Sequence, residues 1–303
     1  MSARNGRRLI GAVEGGGTKF VLALADERGA ILAHARIPTG RPETTFPAMT
    51  DFFRQAAAEH GAIDAFGIGS FGPLSLDCSA ADWGAITTTP KPGWRGASYP
   101  DALAEFGAPL GIETDVNAAA LGEWLAGAGR GLTTMAYTTV GTGIGTGVLQ
   151  CGVPLAGIGH YEAGHVPVPH DPADGFGGIC PVHGDCLEGL ASGPAIAARW
   201  DASLDRLGPA EVELIASYLA DFAMTLVLLH MPERLIFGGG VSKAPGLIPA
   251  LRRLTEERLG GYIAHPALDP GLESYIVPPA LGDDAGIRGA IELGRRVLRS
   301  RTE

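Results

Sequence analysis

The chain has 303 residues, enough for two domains with cores of their own. Hydrophobic residues make up 46% and charged residues 18%, which excludes a disordered chain. A formal net charge of -10 argues against the basic face that a nucleic-acid backbone demands.

The start is basic, with Arg4, Arg7 and Arg8, but residues 9–13 run straight into glycines. Without the apolar core of a targeting signal, this reads as a ragged terminus before a first strand. No apolar run approaches the ~18 residues of a membrane span, so no membrane partner is expected and cytoplasm is the expected compartment. Three apolar runs bounded by turns, 9–13, 19–25 and 31–37, read as strands. From 44 to 60, Phe46, Met49, Phe52, Phe53 and Ala56 recur at three- and four-residue steps, the mark of a helix. A strand at 65–69, a Pro/Gly-rich segment through Arg95 and a strand at 110–113 follow. Asp115 and Asn117 then introduce an alanine-rich helix over 118–128.

The pattern restarts at residue 135. A strand at 135–140, a glycine cluster at 141–147 and a returning strand at 148–150 repeat the opening. Ile10-Gly-Ala-Val-Glu-Gly-Gly-Gly-Thr18-Lys and Tyr137-Thr-Thr-Val-Gly-Thr-Gly-Ile-Gly145 are both strand, glycine-threonine turn, strand, which points to two related lobes. Neither turn matches a P-loop or a Rossmann fingerprint. Such a turn can still hold phosphate, because successive glycine N–H groups can face one anion and a threonine hydroxyl adds a donor. The competing reading is a tight hairpin with no ligand. Helices at 211–230, 245–258 and 285–299 alternate with strands at 234–237 and 274–277, giving an α/β fold.

Four cysteines do not make a disulfide framework in a chain this long. Cys180-Pro-Val-His183-Gly-Asp-Cys186 places three metal-ligand side chains at three-residue intervals, and His170 can close a tetrahedron from the preceding loop. Two thiolates and two imidazoles suit a closed, structural Zn²⁺ site. The competing reading makes the cysteines buried hydrophobes and the histidines loop residues. Cys78 and Cys151 have no such neighbours and read as core thiols. Glu162-Ala-Gly-His165 and Glu188 flank this region, and zinc would pin the loops that carry them.

At these residues the sequence resembles the ROK family of sugar kinases, within the actin/hexokinase-like superfamily, and specifically its bacterial fructokinase branch. Glu14-Gly-Gly-Gly-Thr-Lys19 resembles its first phosphate loop, Thr114-Asp-Val-Asn-Ala-Ala-Ala-Leu-Gly-Glu123 its catalytic segment, and Gly141-Thr-Gly-Ile-Gly145 its second phosphate loop. Glu162 to His165 and His170 to Gly193 resemble the sugar and zinc region, and Gly238-Gly-Gly-Val241 the adenosine-side turn. The resemblance implies two ribonuclease H-like lobes with the active site in the cleft between them. One lobe is expected over 1–116 with the C-terminal helix at 285–303, the other over 117–284. It implies Asp115 as general base, and Thr114, Glu162, His165 and Glu188 as sugar-binding. Gly16, Gly17, Thr18, Lys19, Thr142, Gly143, Gly239 and Gly240 are implied to contact the nucleotide.

The implied cofactors are ATP with Mg²⁺ and structural zinc, and the implied assembly is a homodimer. Most of the family has Asp where Glu14 stands, and the glucokinase branch has Asn where Thr114 stands. That difference, the form of the zinc knuckle, and Thr89-Pro-Lys-Pro-Gly-Trp94 lean toward fructose. The expected reaction is ATP + D-fructose to D-fructose 6-phosphate + ADP. The rivals are a broader hexose kinase acting on mannose or glucose, and a sugar-responsive repressor, for which the early first glycine loop leaves no DNA-binding module.

Overall fold

Apolar residues fill the three opening runs on both faces, and in the computed structural model they are β1 (Leu9–Gly15), β2 (Lys19–Asp26) and β3 (Ile31–Pro38). The structure describes residues 7–268 and 271–300, so Arg4 of the basic start and the end of the 285–303 segment lie outside the described residues. After β3 come α1 (Pro42–His60), β4 (Ala65–Ser70), α2 (Tyr99–Leu103), β5 (Leu110–Thr114) and α3 (Asp115–Ala126). The first sheet has the order β3-β2-β1-β4-β5. Its β1–β2 and β2–β3 pairs are antiparallel, and β1–β4 and β4–β5 are parallel.

Both faces of this sheet are covered at β1, β2 and β4, which explains why those strands are apolar nearly throughout, whereas the edge strand β3 is partly exposed and carries His34 and Arg36. Successive side chains of a strand point to opposite faces. Along β2, Phe20, Leu22 and Leu24 join a core with Met49 and Phe53 of α1. The alternate residues Val21, Ala23 and Ala25 meet Ile287, Ala290 and Ile291 of the C-terminal helix Ala285–Ser300. Burying each of those isoleucines stabilises the first unit by about 1.5–3 kcal/mol. The helix lies close to α3 as well: a Cβ on Gly289 would sit 1.7 Å from the Ala118 carbonyl oxygen, so only glycine fits.

The second half follows with β6 (Thr134–Val140), β7 (Ile144–Gln150), β8 (Val153–Pro154), α4 (Leu187–Ala191), α5 (Gly193–Trp200), α6 (Pro209–His230), β9 (Leu235–Gly238), α7 (Leu247–Leu259) and β10 (Ile276–Val277). Its sheet order is β10-β9-β6-β7-β8. Read from β8, this is the first sheet again. The β6–β7 and β7–β8 pairs are antiparallel, and β6–β9 and β9–β10 are parallel. The repetition of the glycine-threonine turns is thus a repetition of whole sheets.

The chain divides into two units. The first takes Met1–Gly122, Ala156–His160 and Asp283–Glu303, and the second Glu123–Leu155 and Tyr161–Gly282. The division falls after Gly122 instead of near residue 116, because the first turns of α3 pack on the C-terminal helix.

The helix α6 is long and apolar enough to cross a membrane by length and composition, although Glu213 and Asp221 interrupt its apolar run. Its buried arc is wide because Tyr218 and Phe222, and on the other side Ala216, Ala220 and Val227, all join the core of the second unit. Cys78 and Cys151 are exposed, not core thiols. Cys151 (φ 52°) and Gly152 (φ 73°) form the left-handed turn between β7 and β8, which places Cys151 outside the core.

Candidate active site

In the first unit the register aligns three strand ends. Gly15 of β1 lies beside Ser70 of β4, and Ser70 beside Thr114 of β5. The carboxyl ends of parallel strands are where open α/β sheets place ligands, so the turn at Gly16–Thr18 and Asp115 share one edge. The turn is held from below. Thr39 donates its hydroxyl to the Gly16 carbonyl (2.7 Å) and its N–H to the Thr18 carbonyl (3.0 Å). Under Gly15 lie the Tyr99 and Ser70 hydroxyls, 2.7 Å apart, and a Cβ on Gly15 would sit 2.7 Å from the phenol oxygen. Burial raises the Tyr99 phenol far above its ordinary range. Gly16 and Gly17 are half-buried, and Thr18 and Lys19 are exposed.

Asp115 opens α3, but Thr114 caps it: the Thr114 hydroxyl oxygen accepts the Asn117 N–H at 3.2 Å. Thr114 is 5% exposed, and its hydroxyl oxygen, accepting the Asn117 N–H, keeps its own O–H to donate. Asp115 accepts the Val116 N–H through Oδ1 at 2.8 Å. Beside it, Asn117 donates to Glu113 (2.9 Å), whose carboxyl burial raises.

Glu14 sits at the foot of the same turn. Burial, then the charge of Asp115, raises its pKa to about 7, against the opposing pull of Lys19. Its Oε2 is sealed from solvent with no hydrogen-bond partner. Between the ordinary value of 4.5 and about 7, the folded chain holds a proton that the unfolded chain has lost. Stability contributed by this group is therefore present at low pH and lost as pH rises through that window, about 3.5 kcal/mol in all at about 1.4 kcal/mol per unit. Glu14→Gln should melt well above the wild type at pH 8 and close to it at pH 5. Parallel melting curves across that range would contradict the assignment.

In the second unit, Gly141–Gly143 turns between β6 and β7, with the Gly141 N–H bonded to the Gly143 carbonyl (2.9 Å). The Gly141 carbonyl in turn accepts the N–H of Gly193, the first residue of α5, at 2.7 Å. Ser192 caps that helix through the Ala195 N–H. Gly239 has φ +89°, and a Cβ there would sit 2.3 Å from the Val140 carbonyl oxygen, so the turn after β9 requires glycine. These turns open on a cavity of about 600 Å³ lined by Thr142, Gly193, Ile196, Leu204, Gly240 and Val241. Its size suits a small organic ligand, with Thr142, Ser203 and Asp205 as polar groups beside the apolar side chains of Ile196, Leu204 and Val241.

Glu188 links this turn to the knuckle. Its Oε2 accepts the Ile144 N–H at 2.8 Å, and its Oε1 lies 3.9 Å from Nε2 of His165. Glu162 is exposed and immediately precedes the turn Ala163–His165.

The structure brings His165, Cys180, His183 and Cys186 together, with ligand atoms all within 4.8 Å of one another. The His165 Nδ1 is 3.7 Å from Cys180 Sγ and 3.5 Å from Cys186 Sγ, and His183 Nδ1 is 3.7 Å from Cys180 Sγ. Bonds of about 2.0–2.3 Å in a tetrahedron set donor atoms roughly 3.3–3.8 Å apart, so the cluster fits one zinc. Burial pushes the Cys186 thiol up to about 11, a preference that a divalent cation reverses.

His170 is not in this group. It is exposed, with its two nitrogens each 3.7 Å from a carboxylate, Asp174 on one side and Asp185 on the other. The cause is register. Pro167 bridges Cys186 and the Leu187 N–H bonds to the Val166 carbonyl, which sets His165 beside the thiol. Three-residue spacing alone cannot reveal a long-range bridge.

Two open sheets of one topology, each with a glycine turn between its first two strands, define a protein of the actin/hexokinase-like fold. The ROK family model matches residues 10–297. Fructokinases match at 37 to 46% identity, that of Zymomonas mobilis at 46% over 96% of this chain and 97% of its own. Glucokinases match less closely, that of Halalkalibacterium halodurans at 31% over 91% of this chain and 92% of its own. Among solved structures, the ROK hexokinase of Thermus thermophilus superposes with a TM-score of 0.77 at 29% identity, covering 96% of this chain and 99% of that one. The ROK glucokinase of Streptomyces griseus, in complex with glucose and AMPPNP, gives 0.74 at 26% identity over 95% and 99%. The chain belongs to the ROK family.

Proposed function

We propose that the chain transfers the terminal phosphoryl group of ATP to the 6-hydroxyl of D-fructose, giving D-fructose 6-phosphate and ADP. The observation that carries the choice of sugar is the gap between 37–46% identity to fructokinases and 31% to the glucokinase. In the step itself, the sugar oxygen bonds to the γ-phosphorus as the bond to the β,γ-bridging oxygen breaks. The electron pair leaves on ADP and the hydroxyl proton passes to Asp115. Mg²⁺ accompanies the nucleotide and shields its charge.

The turn at Gly16, Gly17, Thr18 and Lys19 takes phosphate in the first unit, and Thr142, Gly143, Gly239 and Gly240 take the nucleotide in the second. Glu162, Nε2 of His165, and Glu188 take sugar hydroxyls. His165, Cys180, His183 and Cys186 would hold zinc, and a metal on Nδ1 would fix the ring of His165 so that Nε2 stays presented to the sugar. The same reading carries a homodimer in the cytoplasm, where a reducing milieu suits the exposed thiols of Cys78 and Cys151.

A coupled ADP-release assay across fructose, mannose and glucose tests the reading. A sugar that leaves one buried partner unpaired loses about 1.4 kcal/mol, a factor of ten. The kcat/KM for fructose should therefore exceed that for glucose by at least about tenfold. Equal or better efficiency with glucose overturns the choice of sugar while leaving the kinase reading intact.

A further inference from the structure

The segment between β4 and α2 brings a cation to the first glycine turn. Lys91 is half-buried, and its Nζ donates to the Gly17 carbonyl at 2.5 Å. The ammonium also lies 5.9 Å from the centre of the Phe71 ring. It forms no ion pair among the described residues.

The placement is rigid. Three residues on, Trp94 is fully buried, donates its indole N–H to the Gly40 carbonyl at 2.9 Å, and packs on Phe20, Phe46 and Phe71. The Trp94 N–H closes back on the Lys91 carbonyl at 3.2 Å, and the Lys91 N–H bonds to the Thr89 hydroxyl oxygen at 3.3 Å. A loop tied at both ends in this way holds the root of the lysine against the turn.

An ammonium has three N–H donors, and the carbonyl of Gly17 takes one. Its two remaining N–H donors suit an anion. The turn beside it is the one whose N–H groups and threonine hydroxyl suit phosphate.

We propose that Lys91 is a catalytic residue whose ammonium contacts the transferring phosphoryl group and stabilises the charge on its oxygens as the bond to ADP breaks. This rests on the reading that the first turn holds the phosphate end of ATP. Within the first unit the groups then divide the work: Asp115 takes the proton from the sugar, and Lys91 balances charge on phosphorus. Lys91 forms no covalent bond and transfers no proton.

The test compares wild type with Lys91→Met, Lys91→Gln and Lys91→Arg. Removing one preorganised donor at a developing oxyanion costs about 10²–10³ in rate. The kcat of the Met and Gln variants should fall by about 10², the KM for fructose should stay within a few-fold, and melting temperatures should hardly move. Calorimetry should show weaker binding of Mg·ATP and unchanged binding of AMP, which lacks the transferring group. Lys91→Arg keeps the charge and should recover most of the lost rate.

If the Met and Gln variants keep wild-type kcat, the proposal is wrong and the kinase reading stands. It is equally wrong if these variants lose thermal stability and affinity for ATP and AMP alike, since Lys91 then only braces the Gly17 carbonyl. If wild type transfers no phosphate from ATP to fructose, the functional reading falls first and this proposal falls with it.

Discussion

Asp115→Asn should lower kcat by roughly 10²–10⁴, the range for loss of a general base, and leave the melting temperature almost unchanged. A sugar hydroxyl is a poor nucleophile while it keeps its proton, and the transfer needs that oxygen in line with phosphorus. Asp115 stands where β5 ends and α3 begins, on the edge shared with the first glycine turn, close enough to Glu14 to help raise its pKa. A reader of the sequence could assign Asp115 to capping the helix, since Asp is common there. The structure gives that bond to Thr114, whose hydroxyl oxygen accepts the Asn117 N–H. Asn at 115 keeps the shape and the bond from Val116 but cannot take up a proton. Near-normal kcat in the Asn variant would remove Asp115 from the mechanism and turn attention to Glu162.

His165→Ala should strip the metal, and His170→Ala should leave about one zinc per chain. The cluster puts His165 Nδ1 within 3.5–3.7 Å of both thiols, whereas His170 faces Asp174 and Asp185. Structural zinc contributes on the order of 10 kcal/mol to the module that it closes, so the His165 variant and Cys180→Ser should both melt earlier than wild type. His165→Ala should also raise KM for the sugar, because Nε2 of the same ring is lost. Elemental analysis with a thermal melt reads both variants. Zinc retained by His165→Ala and lost by His170→Ala would reverse the ligand set, and no zinc in protein purified without chelator would remove the site.

Much of the fold was legible because the central strands of its first sheet are buried on both faces. The runs that became β1, β2 and β3 are apolar and turn-bounded, and α1 repeats its apolar residues at helical steps. The restart at residue 135 was legible because the same turn chemistry recurs, and the shared strand order of the two sheets explains why it does. Short elements escaped. The helix α4 is only five residues long and follows directly on the knuckle, and α2 lies at the end of a Pro/Gly-rich stretch. The helix α5 carries a readable start in Ser192 and Pro194, but Gly193 between them reads as part of the loop.

At the proposed site, residues placed by their own segment were legible, among them Asp115 at the start of α3 and the two glycine turns. Those whose role depends on distant partners were not. His165 needs the bridge between Pro167 and Cys186, Thr114 needs the cap to be seen, and Lys91 needs the fold that lays residue 91 against Gly17.

The C-terminal helix sets an order of events during synthesis. All of the second unit has been synthesised once residue 282 is made, whereas the first unit still lacks Asp283–Glu303. Until then Val21, Ala23 and Ala25 present an apolar sheet face with nothing from Ile287, Ala290 or Ile291 to cover it. The half of the chain translated first is thus the half that finishes folding last, and a nascent chain stalled near residue 282 offers chaperones and aggregation partners the face that the last helix is built to close.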